Sequence, residues 1–145
     1  FRSQDIVLRP ADDYVAEFVR HMNPLTVLTG EMVMRRREAM FRADGVLCLD
    51  EARRYRLALD ARGAPVDVQL DGAPCPLRTI TDDEDCPEGE SAVIAAPASL
   101  SLQALIRLRR CTGHPVVLVE NGRLLGVCGE TEIIGALATR GQGAG

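Results

Sequence analysis

The sequence contains no lysine: all 17 of its basic side chains are arginine. That absence removes the P-loop lysine, the Schiff-base amine and the lysine general base from the chemistry open to the chain. Tryptophan is missing as well, and only three Phe and two Tyr are present. A single-strand nucleic-acid platform stacks bases on aromatics along a basic groove, and an acidic chain with so few rings lacks both parts. Nucleic acid is therefore not an expected partner. The five cysteines (Cys48, Cys75, Cys86, Cys111, Cys128) include no C-x-x-C pair. An odd, scattered set reads as reduced thiols of a cytoplasmic protein rather than a disulfide framework. With only His21 and His114 to join them, no metal site is expected. Apolar runs such as residues 115–119 fall far short of the roughly 20 residues that span a bilayer.

What is present is globular. The chain has 145 residues, 46% hydrophobic and 26% charged, with a formal net charge of −4 and a mean hydropathy near zero. That suits one domain, or two small repeats sharing a core. The chain opens on Phe1 and closes on Gly141-Gln-Gly-Ala-Gly145, which suggests a piece excised from something longer.

An amphipathic helix is predicted near the start. Pro10 suits a first helical position, Asp12 and Asp13 complement the positive helix end, and Arg20 and His21 the negative one. Tyr14, Val15, Phe18, Val19 and Met22 share one face, and Asn23-Pro24 is the stop. Residues 25–81 read mainly as short strands. A helical turn at Thr29-Gly30-Glu31 runs to Met34 and leads into the basic run Arg35, Arg36, Arg37. A buried strand is expected at residues 46–49. Residues 56–60 and 66–70 alternate around Ala61-Arg62-Gly63-Ala64 as a hairpin, and Asp71-Gly72, Pro74 and Pro76 break up the chain after it.

Residues 82–90 carry six carboxylates and no basic group, and form the best internal boundary. Beyond it come a strand at 92–96, a helix at 100–111, a strand at 115–120, a type I′ turn at Asn121-Gly122, a strand at 123–128 and a helix at 130–138. A shift of sixty residues lays the hairpin at 57–68 on the hairpin at 117–128. The second copy is β-α-β-β-α. The first leaves only about five residues between its strand and its hairpin, too few for a helix.

From Gly113-His-Pro-Val-Val-Leu-Val-Glu-Asn-Gly-Arg-Leu-Leu-Gly-Val-Cys-Gly129 into the helix after it, the sequence resembles a cystathionine-β-synthase (CBS) domain. The likeness covers residues 92–138, and the degenerate first copy less fully. Asp5-Ile-Val-Leu-Arg-Pro-Ala-Asp-Asp-Tyr-Val-Ala-Glu-Phe-Val-Arg20 resembles the stretch that closes the ATPase domain of glycine betaine/choline-type ABC importers, ahead of a tandem CBS tail. Together the resemblances imply an α+β fold of tandem CBS-type repeats, the first lacking one helix, behind an amphipathic helix. The implied organisation is the end of the ATPase domain at 1–24, a first repeat at 25–81, an acidic linker at 82–90, a second repeat at 91–139 and a flexible tail at 140–145. They imply a regulatory and dimerisation module with no catalytic residues of its own. It would be cytoplasmic and held at the membrane through the transporter. Its partners would be a second copy, the parent ATPase domain and the permease, with an anionic membrane surface as a further candidate.

CBS pairs that bind adenine nucleotides resemble one another in a Thr/Ser-x-x-Asp step at the start of the closing helix. The matching positions here are Gly129 and Glu132, with Thr131 an out-of-register hydroxyl. The resemblance thus implies Gly129, Thr131 and Glu132 as the ligand site, and an adenine nucleotide or cyclic dinucleotide as ligand. The competing reading is a glycine-capped helix with a solvated glutamate. A stand-alone nucleotide-binding CBS protein is also compatible with the sequence. So is a small thiol hydrolase using Cys111 and His114, a pair that straddles a helix end and a strand start. The acidic run reads as a solvated linker or, by pairing with Arg35, Arg36 and Arg37 or by repulsion from an anionic membrane, as a sensor of ionic strength. Arg107, Arg109 and Arg110 are expected on the wet face of their helix, the alternative being a face toward anionic lipid or phosphate.

Overall fold

The computed structural model describes residues 23–144. The helix expected over residues 10–22, and the importer-like stretch, lie outside them. Asn23 begins an element. Its side chain caps α1 (Pro24–Val27) by accepting from the Leu25 N–H at 3.0 Å, with Pro24 at a position that needs no donor.

The chain folds as α+β, with two five-stranded sheets and four helices among the described residues. Helix α2 (Gly30–Val33) comes after α1. Strand β1 (Arg35–Arg36) and the meander β2 (Arg42–Ala43), β3 (Val46–Cys48), β4 (Tyr55–Leu59), β5 (Pro65–Leu70) and β6 (Ala73–Cys75) come next. The remainder is β7 (Leu77–Thr79), β8 (Val93–Pro97), α3 (Leu102–Thr112), β9 (Val116–Glu120), β10 (Arg123–Cys128) and α4 (Glu130–Ala144). One sheet is the antiparallel meander β2-β3-β4-β5-β6. The other has the order β1-β10-β9-β8-β7, with β7, β8 and β9 parallel and both β10 pairings antiparallel.

Three layers result. Successive side chains of a strand point to opposite faces, and the central strands sort accordingly. Val93 and Ala95 of β8 and Val117 of β9 pack with Leu47, Tyr55, Leu57 and Val68 of the meander. Ile94, Ala96, Val116 and Leu118 pack with Leu102, Leu105 and Leu108 of α3 and Ile133 of α4. Strands buried on both faces carry unbroken apolar runs rather than alternation. Helix α3 is capped by Ser101, whose side chain accepts from the Ala104 N–H at 3.2 Å, and ends at Gly113 in the left-handed conformation with φ +74°.

Three features depart from the expected order. The pair Asp71-Gly72, read as a break, has φ +54° and +85° and is a tight turn that adds β6 to the meander. Pro74 is accommodated because β6 is an edge strand. The acidic stretch 82–90 does not separate the sheets, since β7 before it pairs with β8 after it. Helix α4 runs to Ala144 rather than stopping at 138, through residues expected to form a flexible tail.

Candidate functional site

The start of α4 and the strand crossing beside it define the candidate site. Strand β1 lies antiparallel on β10, with Arg35 opposite Val127 and Arg36 opposite Gly126. The crossing is so close that a Cβ on Gly126 would collide with the Arg35 carbonyl oxygen and come within 2.9 Å of the Met34 sulfur. Gly126 is thus the residue that lets β1 sit against β10. Gly30 plays a similar part on α2, where a Cβ would lie 2.8 Å from Leu118 Cδ1 and 3.0 Å from Leu105 Cδ1.

This crossing brings Arg35 to Glu132, 97 residues away in sequence. Arg35 Nε donates to Glu132 Oε2 at 3.3 Å, and its guanidinium lies 4.5 Å from the centre of the Phe41 ring. The other carboxylate oxygen of Glu132 accepts the Gly129 N–H at 2.9 Å. A glutamate at the third helical position reaching back to the cap N–H is half of a capping box. Glu132 is therefore not solvated, its side chain being 11% exposed. Of the three residues predicted for ligand binding, the structure joins Gly129 and Glu132 to each other, while Thr131 is exposed.

Thr131 and Glu132 line one wall of an open groove of about 780 Å³, and Gly135 continues that wall. Met32, Arg35 and Arg36, from α2 and β1, line the other. Arg36 is exposed and has no carboxylate partner among the described residues. The groove therefore offers cationic and hydroxyl groups on its rims and apolar surface on its floor. Arg35 is the member of this site that periodicity and spacing do not reveal; the only trace of it is the basic run at 35–37.

His114 belongs to a different piece of chemistry. Its Nε2 lies 3.0 Å from the Ser91 carbonyl oxygen, an acceptor only, so Nε2 carries the proton. Nδ1 then accepts from the Tyr55 hydroxyl at 2.7 Å, with the two rings edge to face at 5.5 Å. Both nitrogens are engaged, and neither is left to take a proton from Cys111. A Cys–His nucleophile pair has no base here. The thiol of Cys128 is pushed by burial up to about 12, and burial also raises those of Cys48 and Cys86. Among the described residues no cluster of His, Cys, Asp and Glu suits a metal ion.

The arginines of α3 are partly enlisted in structure. Arg107 Nη2 donates to the Cys86 carbonyl at 3.3 Å, and Arg109 pairs with Glu130 at 3.4 Å. The acidic stretch and the run Arg35, Arg36 and Arg37 belong to opposite edges of one sheet. The stretch leaves from β7, and the run starts at β1. Four strand spacings put the edges about 19 Å apart, about twice the 8–10 Å over which exposed charges interact at physiological salt. No helix among the described residues is long and apolar enough to cross a membrane.

No protein-family model matches the chain, and neither does any curated protein or solved structure.

Proposed function

We propose that the chain is a regulatory and dimerisation module of the CBS type, serving an ABC importer ATPase for a compatible solute such as glycine betaine or choline. The observation that carries the reading is the succession β8–α3–β9–β10–α4. It has parallel β8 and β9, an antiparallel hairpin turned by Asn121-Gly122, and a capped helix directly after Gly129. This is the arrangement that the resemblance over residues 92–138 implies. Control in such a module is conformational: paired copies restrain or release the attached ATPase domains, and a ligand acts by its differential affinity for the two states.

The groove supports a ligand that is anionic at one end, facing Arg35 and Arg36, with a hydroxyl-bearing part near Thr131. An adenine nucleotide or a cyclic dinucleotide has that chemistry. Glu132 enters this scheme as a competitor. It already holds Arg35 Nε and the Gly129 N–H, so a phosphate must share the guanidinium with this carboxylate or displace it.

Sedimentation velocity over micromolar concentrations, paired with calorimetry against AMP, ATP and cyclic di-AMP, tests the reading. A dimer that binds at least one of the three is expected, with affinity weakened tenfold or more by Arg36→Ala. A monomer at every concentration that gives no heat with any of them overturns it.

A further inference from the structure

The five cysteines are free thiols, and Cys86 and Cys111 are the two set beside Arg107 of α3. Cys111 is half-buried on α3 and lines a cleft of about 890 Å³ together with Glu88, Gly89, Ile106 and Arg107. Cys86 is buried two residues before Glu88 and Gly89, which line that cleft. Arg107 and Cys111 are four residues apart, hence neighbours on one helix face. The guanidinium of Arg107 reaches the Cys86 carbonyl at 3.3 Å, which lays residue 86 against that face. Both cysteines belong to the apolar cluster beneath α3, Cys86 as a core member and Cys111 packed against it. Cys86 responds to its neighbour: burial raises its thiol, and a charge on Cys111 raises it further.

We infer that Cys86 and Cys111 form a peroxide-responsive pair, with Cys111 the attacking thiol and Cys86 the resolving one. The roles stem from access. Cys111 opens on the cleft, whereas Cys86 is reached only from within the fold. The Cys111 thiolate attacks one peroxide oxygen; the O–O bond breaks, hydroxide leaves and takes up a proton, and Cys111 becomes a sulfenic acid. The Cys86 sulfur, giving up its proton, then attacks the sulfenic sulfur. An S–S bond forms and a second water departs. Two thiols are oxidised and one peroxide is reduced to two waters, so no other reactant is required. The product ties the acidic stretch 82–90 covalently to α3, which now holds it at residue 86 through the Arg107 hydrogen bond to the Cys86 carbonyl and the apolar packing of the Cys86 side chain.

The test exposes the full chain to a few equivalents of hydrogen peroxide near pH 8, with thiol counting and peptide mapping without reduction afterwards. Two of the five thiols are expected to disappear, with a linked peptide joining residues 86 and 111 that is lost on adding dithiothreitol. In Cys111→Ser the other thiols should persist at least tenfold longer. In Cys86→Ser, Cys111 should stop at sulfenic acid, trapped by dimedone. Should Cys86→Ser fail to fold, the wild-type map and Cys111→Ser still decide. The proposal is overturned by Cys111 oxidising alone beside an intact Cys86, by an intermolecular Cys111 disulfide, or by linkage of either residue to a third cysteine.

Discussion

The hydroxyl of Tyr55 and Nδ1 of His114 meet at 2.7 Å, tying the meander to the sheet of parallel strands. Tyr55 reaches from β4, and His114 is fixed from behind by the Ser91 carbonyl. Because that carbonyl claims the Nε2 proton, the tyrosine is obliged to donate. Tyr55→Phe removes this donor and leaves Nδ1 without a partner in a half-buried setting. A loss of about 1 kcal/mol is expected, measurable by urea denaturation. Nitrogen chemical shifts of the ring should report the Nε2–H form in the wild type.

Two glycines should respond oppositely to the same change. Gly126→Ala drives a methyl into the Arg35 carbonyl and the Met34 sulfur, and backbone cannot swing aside as a side-chain tip can. About 1–3 kcal/mol of destabilisation is expected, as for other overpacked sites, with loss of hydrogen-exchange protection along β1. Gly135→Ala meets only open space on α4. It should stabilise by up to about 1 kcal/mol through helix propensity. Paired thermal melts of the two variants check both signs.

Glu132 carries two duties that separate under substitution. Glu132→Gln keeps an oxygen for the Gly129 N–H but gives up the charge facing Arg35. Glu132→Ala gives up both. The alanine variant should lose about 1–2 kcal/mol, in the range of a lost helix cap, and the glutamine variant clearly less. If phosphate ligands compete with Glu132 for Arg35, Glu132→Gln should bind them more tightly than wild type. Calorimetry reads that directly.

Stability should fall in alkali through a buried thiol. Cys128, raised by burial to about 12, stays protonated in the native state while the unfolded chain releases its proton near 9. The folded state then binds more protons, so stability is complete below about pH 9 and declines between about 9 and 12, by about 1.4 kcal/mol per pH unit. Burial raises Cys48, Cys86 and Tyr55 in the same direction. Replacing Cys128 by Ala should flatten the slope of denaturation midpoint against pH.

The second half of the chain was legible because its elements are long enough to show a period. Strands of five and six residues around Asn121-Gly122, and an eleven-residue helix with Leu102, Leu105 and Leu108 on one side, declare themselves. The turns at Asp44-Gly45 and Asp71-Gly72 have the same positive φ values as Asn121-Gly122. They join strands of only two or three residues on at least one side, too short for alternation to register. The site was half legible. Gly129 and Glu132 are reached through the resemblance alone, and Arg35 comes to them from a two-residue strand whose place depends on Gly126 having no side chain. Such a pairing is a property of the tertiary fold.

The strand order β1-β10-β9-β8-β7 bears on how this chain can be divided. Both edge strands of that sheet come from sequence ahead of residue 82, although its three central strands lie beyond residue 92. A cut within the acidic stretch would strip the later half of both borders at once. It would expose two rows of unpaired amides and carbonyls, the surface on which foreign strands add. The two halves are accordingly not exchangeable cassettes. They must be inherited, expressed and engineered as one piece, and a chain short of its own edges would borrow them from a neighbour.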